Sequence, residues 1–274
     1  MIKDSIEIIN LVPKFLDFYN KAIDSDEEIR FELWKKHYGF AAVPPGEEGM
    51  RLAKQQLETS WKKYDQVVSY LEQWAPEEER VKEVLAQIKC ILKYEEKIDV
   101  ALIFFVGAFD GNAFAAPYGE NRIAVCLPVE EGINQITMVH ELIHLVHGKI
   151  TGFTAGWERP VASLVMQEGL AMQLSKHLVP NHKDEDYVVD QNGWFRSCCM
   201  EEQQILQGIK PYLKECSGEK ILQFTMGTGT TGKVREGYFA GWKLIGTMLE
   251  NGMTFAEIAR IKETEMAYVL EQYI

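Results

Sequence analysis

Two histidines stand four residues apart in 138-MVHELIHLVHG-148, with a glutamate directly after the first. On a helix turning about 100° per residue, His140 and His144 share one face, one turn apart, and Glu141 flanks it. Two imidazoles so placed can converge on one tetrahedral ion at about 2.0–2.1 Å. Glu141 then sits beside the ion's open position, where it can take a proton from water. Leu142, Ile143, Leu145 and Val146 cover most of the remaining circumference, which predicts a helix buried on nearly all sides. Burying two histidines and a glutamate is costly unless something compensates, and a metal ion would do so. His147 is about 10 Å from His140 along the axis, too far to share one ion comfortably. It reads as a packing histidine, with Gly148 ending the helix.

A catalytic zinc usually takes three protein ligands and a water. The route H-E-x-x-H-x-x-G-x-x-H fails, because His147 holds the glycine position and Ile150 the final histidine position. The other common route is a glutamate on a following helix. Over 160–178, Val161, Leu164, Val165 and Met172 form an apolar stripe, and Glu168 falls in its middle. A carboxylate facing the core needs a cation or several donors, and a dication held by His140 and His144 would be that cation. Glu158, in the loop before the helix, is the fallback. The reading is one Zn²⁺ per chain on His140, His144 and Glu168.

His140-Glu141-x-x-His144 followed by Glu168-Gly169-Leu170-Ala171 resembles the gluzincin type of metallopeptidase. More narrowly, it resembles a bacterial family carrying a domain-of-unknown-function label and described as predicted Zn-dependent proteases. That family also has a Gly-Tyr-x-x-Gly helix near its C-terminus, matched here by Gly237-Tyr238-Phe239-Ala240-Gly241. The resemblance covers roughly residues 95–250 and implies a zincin-like fold and peptide hydrolysis. Gluzincins often place an aspartate four residues after the ligand glutamate; here that position is Met172. The resemblance further implies an edge strand that pairs with substrate backbone, for which Gly111-Asn112-Ala113-Phe114-Ala115 is the counterpart, with Asn112 and Ala113 as substrate contacts. Asp110-Gly111-Asn112 also fits a turn. Tyr238 is the candidate to stabilise an oxyanion, against a packing role in the stripe it forms with Trp242, Ile245 and Leu249.

One stretch imitates another chemistry. Gly227 to Lys233 fits G-x-x-x-x-G-K, but Val234 stands where a Mg²⁺-binding hydroxyl is needed. It reads as a flexible loop ahead of the Tyr238 helix, with Lys233 or Arg235 free to face substrate. Cys198, Cys199 and Cys216 lack paired C-x-x-C spacing and read as buried reduced thiols.

These residues must be positioned by a chain of 274 residues, 46% of them hydrophobic, which is enough for a substantial core. Apolar periodicity predicts helices over roughly 5–23, 26–38, 47–74 and 77–95, then strands over 99–109 and 121–128 joined by turn formers. Helices return over roughly 130–148, 160–178, 199–216, 236–250 and 254–271, the last opened by a capping box, Thr254-x-x-Glu257. The expected fold is α+β, mostly helical, with a small sheet packed on the H-E-x-x-H helix. Residues 1–98 would be a helical N-terminal part and 99–274 the catalytic part, as two domains or one continuous one. A net charge of −12 argues against nucleic acid and anionic membrane surfaces as partners. The absence of a signal-like start and five cysteines without framework spacing point to the cytoplasm. The function expected is a zinc-dependent metallopeptidase acting on peptides or unfolded chains. The alternative is a metal-binding protein that uses a protease-like fold for regulation or interaction.

Overall fold

The computed structural model describes residues 4–119, 122–152, 159–190 and 192–274. The chain starts with β1 (Ser5–Asn10), α1 (Val12–Ala22), α2 (Glu27–His37), α3 (Glu47–Tyr64), α4 (Val68–Leu71) and α5 (Glu78–Leu92). Then come β2 (Asp99–Phe105), β3 (Phe114–Tyr118), β4 (Arg122–Pro128), α6 (Gln135–Thr151) and α7 (Val161–Leu178). The rest is helical: α8 (Asp184–Tyr187), α9 (Trp194–Met200), α10 (Glu202–Ile209), α11 (Gly218–Thr225), α12 (Glu236–Glu250), α13 (Phe255–Ile258) and α14 (Glu263–Glu271). The fold is α+β and mostly helical, with one small mixed sheet.

Two compact units divide the chain. The first holds residues 1–83 and 96–138, the second 84–95 and 139–274. These borders do not fall at 98/99, because the first strand of the chain pairs with β2. Helix was expected over 5–23, yet residues 5–10 are a strand. Ile6 and Ile8 alternate with polar residues, and Pro13 confines α1 to a start at Val12.

In the first unit the sheet order is β1-β2-β4-β3, so β3 is an edge. β2 runs parallel to β1 and β4, and β3 antiparallel to β4. β2 is buried on both faces after its first residue, which accounts for its unbroken apolar run. On one face Ala101, Ile103, Phe105, Ala124 and Cys126 form a cluster under Ile9, Phe40 and Phe114. Past β2, Glu130 accepts hydrogen bonds from Gly107 N (2.7 Å) and Phe109 N (2.9 Å), so this buried acid is a backbone clamp.

In the second unit α7 is buried almost all round and packs along α12. Gly169 and Gly241 make that approach possible. A Cβ on Gly169 would stand 2.3 Å from the Gly241 carbonyl oxygen. The helix expected to end at Gly148 continues to Thr151 and stops before Gly152, whose φ of 71° suits glycine. The segments expected as single helices over 199–216 and 254–271 are broken into shorter pieces. Thr254 and Glu257 do form the capping box, which opens only the single turn of α13. Among the described residues, no helix is long and apolar enough to cross a membrane.

Candidate metal centre

Burial along α6 follows one line. Thr137, His140, Glu141, His144 and Gly148 are half-buried, while Met138, Val139, Leu142, Ile143, Leu145, Val146 and His147 are buried. The spacing is that of one helical stripe, so the residues with chemistry occupy the accessible side of an otherwise enclosed helix.

The two imidazoles converge, with His140 Nε2 and His144 Nε2 2.9 Å apart. Glu168, on α7 and 8% exposed, brings Oε2 to 3.2 Å from His140 Nε2 and 3.5 Å from His144 Nε2. Ligands at about 2.0–2.1 Å from a tetrahedral ion stand roughly 3.3–3.4 Å from one another. The observed separations bracket that value. All three atoms offer lone pairs, and one proton can bridge only one of the three contacts. Among the described residues, these three are the His, Cys, Asp and Glu side chains placed to hold a metal ion together.

The charges agree with this geometry. Burial alone would raise the Glu168 carboxyl, but the His144 and His140 imidazoles against it hold it far below the usual range. Burial would lower His144, and the Glu168 carboxylate outweighs it and raises the imidazole above its ordinary value. His147 does not join them. It is 1% exposed, and burial, with His144 adding to it, pushes its imidazole down to about 3. This is a packing histidine, as its spacing from His140 requires.

Tyr238 sits in the first turn of α12, half-buried. The charge of Glu168, followed by burial, raises its phenol well above the ordinary value, so the hydroxyl keeps its proton at neutral pH and can donate. Asn112 and Ala113 lie in the first unit, just before edge strand β3, and not in the strand itself. Asn112 N–H donates to Asp110 Oδ1 (3.2 Å) and Ala113 N–H to Gly111 O (3.0 Å). With Gly111 at φ 63°, residues 110–113 form the turn that their composition also allowed, and pairing begins at Phe114. The fallback ligand Glu158 lies outside the described residues. Met172, where gluzincins often have an aspartate, is buried.

The phosphate-loop imitation is explained by an acid of the same chain. Glu236 is fully buried, and its carboxylate accepts from the backbone N–H and hydroxyl groups of both Thr230 and Thr231, at 2.7–3.1 Å. The loop cradles an anion, and that anion is Glu236. Lys233 pairs with Glu201 at 2.9 Å. The cysteines are free thiols, but only Cys198 of the three singled out is buried; Cys199 is half-buried and Cys216 exposed.

Two arginines lie near the site: Arg159, which has no signal in its spacing, and Arg235, which the loop reading leaves free to face substrate. Arg159, half-buried before α7, donates through Nη1 to Gln167 Oε1 and is felt by Glu168 and Tyr238. Arg235 lies 4.4 Å over the Tyr238 ring. Only its surroundings mark Arg159. No family model matches the sequence, and no curated protein or solved structure matches it, so the site is read from its own geometry.

Proposed function

We propose that the protein is a zinc-dependent metallopeptidase hydrolysing peptide bonds in peptides or unfolded chains. The observation that supports this best is the convergence of three lone-pair atoms, of His140, His144 and Glu168, on the same accessible stripe that carries Glu141. Two imidazoles and a carboxylate suit zinc, leaving a fourth position for water or substrate. When bound, such an ion supplies Lewis-acid polarisation of a carbonyl and acidifies water. Glu141 takes the proton from the attacking water and returns it to the leaving amine. Tyr238, kept protonated beside Glu168, donates a hydrogen bond to the developing oxyanion. We place the protein in the cytoplasm, where its five free thiols stay reduced.

The test is metal content by elemental analysis of protein purified without chelator, followed by a peptide-library screen. About one zinc per chain and cleavage that stops on chelation and returns with zinc are expected. No bound metal after zinc is supplied and excess removed would overturn the reading.

A further inference from the structure

Four of the eight arginines pair with a carboxylate among the described residues. Arg30 pairs with Glu58, and Arg122 with Glu7 and Asp99. Arg159 and Arg235 do not. Among the described residues neither has a carboxylate within ion-pair distance, although both lie close enough to Tyr238 for their charge to act on its hydroxyl.

Arg159 is the more telling. Nη1 is taken by the neutral Gln167, while Nε is buried with no acceptor among the described residues. Nε and Nη2 form the edge of a guanidinium that grips a carboxylate side-on. Burial pulls this cation down, and Glu168 and Glu263 oppose that from a distance. Both are committed elsewhere: Glu263 accepts from Ser163 Oγ at 2.6 Å, and Glu168 faces the histidines. A dication beside Glu168 would consume the field that steadies Arg159 and make an external anion more welcome.

Arg235 is held in place at a cost. It has φ 57° although it is not glycine. Its Nη1 donates to Val189 O at 3.1 Å, and Val189, a β-branched residue, has φ 51°. Strain of this kind persists where the surroundings enforce it, commonly at ligand sites. The guanidinium stacks on Tyr238 and lies 5.4 Å from the Trp194 ring centre.

We infer that Arg159 and Arg235 form an anion subsite beside the metal ligands, which selects peptides that carry a carboxylate near the bond to be cut. The inference rests on the peptidase reading and deepens it by naming a substrate class. The carboxylate could be a free C-terminus or an acidic side chain.

The experiment is calorimetric binding of N-acetylated penta-alanine to the zinc-loaded Glu141→Gln protein. Three forms are compared: free acid, C-terminal amide, and amide with one glutamate at each position in turn. The free acid, or one glutamate-bearing amide, should bind about tenfold more tightly than the neutral amide. Tight binding of the free acid alone assigns the C-terminus, and recovery by an internal glutamate assigns a side chain. The preference should vanish in Arg159→Gln/Arg235→Gln and return in part in Arg159→Lys. Equal binding of every form, no binding of any, or a preference surviving the double substitution overturns the subsite. Because the acid–amide comparison needs no arginine variant, misfolding of one cannot rescue it. Cleavage is followed in parallel with Glu141 intact. Hydrolysis without charge preference sinks the subsite and leaves the peptidase, whereas charge-selective binding without hydrolysis of any peptide supports the subsite and sinks the peptidase.

Discussion

Gly169 and Gly241 are in backbone contact: a Cβ on the second would stand 2.5 Å from Val165 O and 2.8 Å from Gly169 N. Glu168 precedes the first glycine, and Tyr238 stands three residues before the second. The glycines therefore set how closely the carboxylate's helix and the tyrosine's helix approach. Gly241→Ala should force α7 and α12 apart and cost about 1–3 kcal/mol, as overpacking does. A thermal melt reads this directly. An unchanged Tm would show that the helices can separate without penalty and that the glycines do not set the spacing.

Glu141 and Glu168 are both carboxylates, yet their substitutions should separate. Glu141→Gln should retain the metal and lose roughly 10²–10⁴-fold in peptide hydrolysis, the range for a lost general base. Glu168→Gln should lose metal as well as activity, since it removes a ligand charge. Elemental analysis beside a cleavage assay distinguishes the two. Full activity in Glu141→Gln would remove it from the role of proton carrier.

Metal affinity should rise with pH. In the ion-free protein Glu168 raises His144 above its ordinary 6.5, so the protonated pair stabilises the fold fully below that value. This stabilisation is lost as pH rises through the raised value. A metal needs the imidazole unprotonated, so zinc affinity should increase between about pH 6 and 8. Chelator competition across that window checks it. A flat profile would mean that Glu168 does not hold a proton on His144 in that window.

Glu236 carries the loop that imitates a phosphate cradle. Glu236→Gln replaces an acceptor-only carboxylate facing four donors with a neutral amide. It should destabilise the protein by about 2 kcal/mol or more, since hydrogen bonds to charged groups contribute about 1.5–3 kcal/mol each. Urea unfolding measures this. In the unaltered protein, ATP and GTP with Mg²⁺ should leave the melting curve where it is. A nucleotide-dependent upward shift would show that the loop can exchange its own carboxylate for a phosphate.

The local features of the site were legible because they depend on period and residue type. Four-residue spacing puts His140 and His144 on one helical face in any fold, and Glu168 stood out as a carboxylate inside an apolar stripe. The runs that became β2 and β4 were legible for the same reason. β1 was not: Ile6, Ile8 and Ile9 fit a strand or a helix, and its choice depends on β2, far along the chain. Nor could Gly227–Lys233 be told from a phosphate loop by pattern, since backbone N–H groups cradle either anion and only the fold places Glu236 among them. The sequence by itself determined which side chains could bind a metal, through helical period and chemistry. Only the tertiary structure decided that α7 brings Glu168 within 3.5 Å of both imidazoles, and that among the described residues no carboxylate pairs with Arg159 or Arg235. Distances between elements and the pairing of charges are set by packing across the chain, which no local period encodes.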